Sequence, residues 1–166
     1  MAPVAAEKDE VRQALKFGTY TLIFKGRALG LLGRAGLTAE QLSREAAARQ
    51  TLNTQIAEID KGVDAGTFQK DAHGALVKAL ADYNAQPGDP TRDRVKGDLA
   101  REVLRAAEHY VFLELLEKYK AAGTYMDTIE KTLSSDQKDS LVAAYRAATQ
   151  PAPARSRPAA TVPGGQ

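Results

Sequence analysis

The sequence predicts an all-α fold: a single-domain bundle of about five long helices with a polar C-terminal tail. Three observations carry that prediction. Strand signals are almost absent, and the one β-friendly run, Thr19-Tyr20-Thr21-Leu22-Ile23-Phe24, sits inside a helical repeat of Val11, Leu15, Gly18, Leu22 and Leu29. Elsewhere apolar residues recur at spacings of three and four. A short phrase occurs twice, as Leu37-Thr38-Ala39-Glu40-Gln41 and Leu133-Ser134-Ser135-Asp136-Gln137, each time where a helix should start.

With 166 residues the chain fits one domain and is long enough to bury a core. Residues 1–6 are expected to be a flexible N-terminus, residues 7–149 the helical domain, and residues 150–166 a disordered tail. That tail, rich in Pro, Ala and Gly around Arg155 and Arg157, carries too little apolar surface to order itself.

The first helix is expected over residues 7–34, loosened at Gly26, Gly30 and Gly33 and capped at Gly36. The second should begin at Thr38 and run to about Lys61. Leu42, Ala46, Ile56 and Ile59 mark its apolar face, which Arg49, Gln50, Asn53 and Gln55 make thin at the middle. A third helix, 67–84, carries Phe68, Ala72, Leu76, Leu80 and Tyr83. Gln86-Pro87-Gly88-Asp89-Pro90 then breaks the chain. The fourth helix, 91–121, is the longest. Val95, Leu99, Val103, Ala106, Tyr110 and Leu113 form one stripe. Val111, Phe112, Leu115 and Leu116 widen it from Tyr110 to Tyr119, which predicts a central position there. Gly123 is a candidate end or bend, with 124–132 continuing as helix through Tyr125, Met126 and Ile129. A last helix follows Ser134 and holds Leu141, Val142 and Tyr145.

Both copies of the repeated phrase fit a capping box. A helix leaves its first N–H groups without partners. Thr38 or Ser134 can accept one, and Gln41 or Gln137 can reach back to the cap's own N–H. Glu40 and Asp136 place negative charge at the favourable end of the helix dipole. Leu37 can staple onto Leu42, whereas Leu133 faces Lys138 in the equivalent place. On this reading the phrases are good helix starts and nothing more.

The same residues also carry a resemblance. Leu-Thr-x-x-Gln is the signature of the Spy/CpxP-like periplasmic proteins, and the chain is similar to them in layout. One phrase opens an early helix and the second opens the last, after a long helix and before a polar tail. The second copy has Ser134 where the family has Thr. The resemblance implies an all-helical, ATP-independent chaperone or stress-response adaptor, usually a cradle-shaped homodimer, or the related periplasmic metal-sensing branch.

Composition excludes several other classes. Lys and Arg number 23 against 21 Asp and Glu, and a net charge of +2 with interspersed signs gives no case for nucleic acid. Without cysteine there is no disulfide, thiolate nucleophile or Cys-ligated zinc. No apolar run is long enough to span a bilayer. The start lacks the apolar core of a signal peptide and reads equally as a mature secreted chain with an added Met or as a cytosolic start. His73 and His109 have no second ligand at helical spacing, so no metal or cofactor site is expected. The carboxylates read as salt-bridged faces, as Glu114 with Lys118. No phosphate loop, nucleophile elbow or Glu-x-x-His pair occurs, and no enzyme is expected.

What remains is binding. Tyr20 through Leu32 is apolar with Lys25, Arg27 and Arg34 around it. It reads as a docked first helix, a groove for a client chain, a subunit contact or a membrane-surface face. The candidate client or partner surface is Leu29, Leu32, Arg34, Arg44 and Arg49. The expected function is a non-enzymatic protein-binding bundle, periplasmic if the resemblance holds. The alternatives are a structural subunit of a larger cytoplasmic or organellar assembly, and a periplasmic metal sensor.

Overall fold

The computed structural model describes residues 8–25 and 31–150. Every regular element among them is helical. Helix α1 is Lys8–Lys25, α2 is Ala39–Asp64, α3 is Lys70–Ala85, α4 is Arg94–Thr132 and α5 is Ser135–Thr149. The expected tail, residues 151–166, and Gly26 and Gly30 of the first segment lie outside the described residues.

The first segment departs from a single helix over 7–34. Leu32–Ala35 is a 3-10 turn rather than α-helix, and Gly36 closes it at φ +70°. Gly33 and Gly36 lower helix propensity here, and only glycine adopts that φ without strain. The fourth helix departs in the opposite direction. It runs through Gly123 without a break, as a rod of 39 residues. That corresponds to about 58 Å.

Helices α2 and α3 lie end to end along α4, antiparallel to it. Contacts fall in reverse order along the two segments: Gln41 with Thr132, Asp60 with Lys118, Phe68 with Tyr110, and Tyr83 with Lys96. The joint between α2 and α3 has a local cause. Thr67 N and Phe68 N both donate to Gly62 O, at 2.9 and 3.0 Å. Gly66 adopts φ +68°, and a Cβ there would stand 2.7 Å from His73 Cε1.

The far tip of this hairpin is closed by one lysine. Lys96 Nζ donates to the carbonyls of Tyr83 and Gln86, at 2.5 and 2.6 Å, and lies 3.7 Å above the Tyr83 ring. The ammonium therefore takes over the last carbonyls of α3, the role a C-terminal cap would play. Asp93 accepts from Lys96 N and opens α4.

Helices α1 and α5 pack only at the other end. Val11, Leu15, Leu52, Met126, Ile129, Leu141 and Val142 are all buried there. Each such side chain contributes about 1.5–3 kcal/mol. Arg12 pairs with Asp127 at 2.7 Å, and Arg146 with Glu10 at 2.5 Å. By contrast α3 buries no residue. The molecule is a four-helix knot with a two-helix arm. The expected centre at residues 110–119 is corrected by this layout. Val111 and Phe112 are 50% and 59% exposed, and Val95 is 56% exposed. The core lies instead around Ala122–Leu133, where α1 and α2 reach α4 and the buried residues of α5, packed on α1 and the 3-10 turn, join the same cluster.

Inside the knot the two capping boxes meet. Both are fully formed: Thr38 and Ser134 accept from the N–H groups of Gln41 and Gln137, whose side chains accept from the cap N–H groups at 2.9 Å. The two glutamine amides also pair reciprocally, at 2.8 and 2.7 Å. The remaining N–H of Gln41 donates to Thr132 O at 2.6 Å, and that of Gln137 to Gly36 O at 3.1 Å. Gly36 and Thr132 hold the same place, two residues before each cap, so the arrangement has pseudo-two-fold symmetry. Each amide uses both N–H groups and both lone pairs.

A simple capping box tolerates Glu as well as Gln. This one should not. Gln41→Glu removes two donors and turns an oxygen toward Thr132 O, so urea unfolding should show a loss of about 1–3 kcal/mol. Thr38→Ala and Ser134→Ala should each cost about 1 kcal/mol. A Gln41→Glu variant as stable as the parent would show that the amide pair contributes nothing.

Candidate functional site

The clearest concave feature is a cleft of about 270 Å³ between α1 and the first turns of α2. Helical spacing puts Leu15, Gly18, Thr19 and Leu22 of α1 on one wall. Leu32, Leu37 and Leu42 form the opposite wall, carried by the 3-10 turn and the entry to α2. The capping box fixes that entry, and so fixes where Leu37 and Leu42 stand.

One end of the cleft is polar. Tyr125 Oη donates to Glu45 Oε1 at 2.9 Å, and Arg49 Nε lies 3.5 Å from the same oxygen. Burial, and then the Glu45 carboxylate beside it, push the Tyr125 phenol well above its ordinary range, while Arg49 opposes the shift. The cleft thus offers an apolar trough with a fixed donor–acceptor end. On α4, Lys118 bridges Glu114 and Asp60 at 2.7 and 2.6 Å. Burial alone would lower its pKa, but the two carboxylates outweigh that and raise it. This bridge ties α2 to α4 and stands away from the cleft lining.

The residues singled out in the sequence separate into groups. Leu32 and Arg49 line the cleft together. Arg34 is exposed on the 3-10 turn beside it. Arg44 points to the other side of α2, where it pairs with Glu40 and borders a shallow groove. Leu29 lies outside the described residues. Leu37, Thr38, Gln41, Leu133, Ser134 and Gln137 all converge in the knot, with Leu133 buried and Leu37 half-buried. Leu42, expected to staple onto Leu37, is half exposed and lines the cleft with it.

The apolar face of α1, from Val11 to Ile23, packs on the core. No described helix is long and apolar enough to cross a membrane. His73 lies against the Tyr110 ring, with centroids 5.7 Å apart, and His109 is exposed on α4. Among the described residues no cluster of His, Asp and Glu suits a metal ion.

Sequence reasoning missed one surface. Val77 and Leu80 of α3, and Leu104, Val111, Phe112, Leu116 and Tyr119 of α4, are exposed on the arm. Part of the signal was present: Val111, Phe112 and Leu116 belong to the apolar stretch 110–119 that reads as central, whereas Leu104 lies outside the stripe the spacing marks. Comparison with protein-family models, curated proteins and solved structures gives no match to this chain.

Tyr125 sets an alkaline dependence. Its phenol is harder to ionise in the folded state than in the unfolded chain. Its contribution is therefore intact below the unfolded pKa of about 10 and is lost as pH rises above it. Tyr125 should ionise well above the ordinary phenol range in a spectrophotometric titration, and Tyr125→Phe should remove that late step. Tyr125→Phe should flatten the loss of stability between about pH 10 and 11.

Proposed function

We propose that this protein is a non-enzymatic binding bundle that holds apolar segments of other polypeptides in the α1–α2 cleft. The observation that carries this reading is the cleft itself: leucines on both walls, one of them the half-exposed Leu42, and arginines at its edge. A client side chain entering it gains about 25 cal/mol for each Å² of apolar surface buried. Arg34 makes no ion pair among the described residues and supplies a free cation to steer acidic segments. Binding of this kind needs no nucleotide and no catalytic group.

The finer reading follows the resemblance of the two Leu-hydroxyl-x-x-Gln phrases to the Spy/CpxP-like proteins. It makes the protein an ATP-independent periplasmic chaperone or stress adaptor. The interlocked boxes support it in one respect: they give both phrases a joint task that a pair of unrelated helix starts would not have.

The test is aggregation of an unfolded, unrelated protein at rising ratios of this chain, without nucleotide. Suppression near equimolar ratios is expected. Leu42→Glu and Arg34→Glu should weaken it several-fold without changing the helical circular dichroism, since both side chains are exposed. Arg44→Ala, on the other side of α2, should leave it unchanged. Absence of suppression by the parent protein would overturn the proposal and point to a single dedicated partner.

A further inference from the structure

The polar end of the α1–α2 cleft holds two groups with unused hydrogen-bonding capacity. Tyr125 Oη and Arg49 Nε both address one oxygen of Glu45, Oε1. Glu45 Oε2 makes no hydrogen bond among the described residues. No buried side-chain polar atom among those residues lacks a partner, so Oε2 reaches solvent. The two Nη groups of Arg49 likewise make no hydrogen bond among the described residues. Both side chains line the cleft, Glu45 13% and Arg49 41% exposed. Leu42, Glu45 and Arg49 follow one another at spacings of three and four, so α2 presents the apolar wall and this pair on one face.

A free carboxylate oxygen accepts and a free Nη group donates. A ligand that satisfies both carries a donor and an acceptor side by side, next to an apolar group. A carboxylate head would meet Arg49 but be repelled by Glu45, and an ammonium would meet Glu45 but be repelled by Arg49. A neutral amide has neither fault. In an extended strand a residue's own N–H and C=O point to the same side and can be engaged together. In a helix both are bonded within the segment. A cleft of about 270 Å³ admits a few side chains, and a helix about 10–12 Å across would stay outside it.

We propose that Glu45 and Arg49 read the main chain of the client. An extended apolar segment docks with one residue's N–H donating to Glu45 Oε2 and its C=O accepting from an Nη group of Arg49. An apolar side chain of the segment enters the trough between Leu22, Leu32 and Leu42. Tyr125 holds the carboxylate by Oε1 and leaves Oε2 to the client. This inference rests on the client-binding reading of the cleft and adds selection to it: the site takes extended apolar segments and passes over helical ones.

Fluorescence anisotropy with the full chain tests it. The first probe is a labelled, capped peptide of alternating leucine and threonine, residues that favour or accept extended backbone. The second carries an ester oxygen in place of each leucine N–H, with the same side chains. The third is a leucine–alanine peptide stapled into a helix. The parent should bind the first, and bind the second and third about tenfold or more weakly. Glu45→Ala, with its fold checked by helical circular dichroism, should bind amide and ester alike. Arg49→Met should weaken the amide peptide about tenfold. Equal binding of amide and ester by the parent, tight binding of the stapled helix, or no peptide binding by a parent that suppresses aggregation would overturn the main-chain reading and leave client binding standing. No peptide binding together with no suppression would overturn both.

Discussion

Two glutamine side chains hold this structure's decisive joint. Through Gln41 and Gln137, the starts of α2 and α5 are tied to each other, to the end of α4 at Thr132 and to the 3-10 turn at Gly36. A partly buried amide with an unmatched donor or acceptor is costly. Here each satisfies the other, so neither box can shift without disrupting its counterpart. Leu37 and Leu133 ride on those boxes. Their positions bring the cleft wall and the core into register.

The rest of the chain depends on that joint through α4. One end of α4 is fixed in the knot by burial on several sides. The other end is held only by α3 and by discrete polar contacts, at Tyr110 with Phe68 and at Lys96 with the α3 carbonyls. Apolar residues on the arm therefore remain exposed. α2 and α3 cover one side of the rod, and α1 ends before it can cover another. The cleft and the arm surface follow from the same shortage of helices around a long rod.

Much of this was legible in the sequence. The helix starts at Thr38 and Ser134 were written in the capping boxes, and the tip of the arm in Gln86-Pro87-Gly88-Asp89-Pro90. What the letters did not carry was pairing. Nothing in either box says that its glutamine would find the other, because a capping box is satisfied locally and its outward N–H groups are silent in sequence. The richest apolar stretch, 110–119, was read as central because periodicity reports how many faces are apolar, not how many neighbours arrive. That part of α4 meets only the end of α2 at Asp60 and the turn at Phe68, so its other faces stay open. Of the candidate client residues, Leu32 and Arg49 share the cleft, whereas Arg44 falls on the other side, a separation set by its position on the helix.

The antiparallel arm has a mechanical consequence. Tension applied at its tip, near Pro87 and Pro90, would peel α3 from α4 one contact at a time, Lys96 first and Tyr110 next, before the Lys118 bridge to α2 takes the load. Such unzipping loads each bond singly and needs little force. Tension across the knot would load the paired amides, the buried leucines and two ion-paired helices at once. The same chain is therefore compliant in one direction and stiff in the other, with the boundary where α2 hands over to α3.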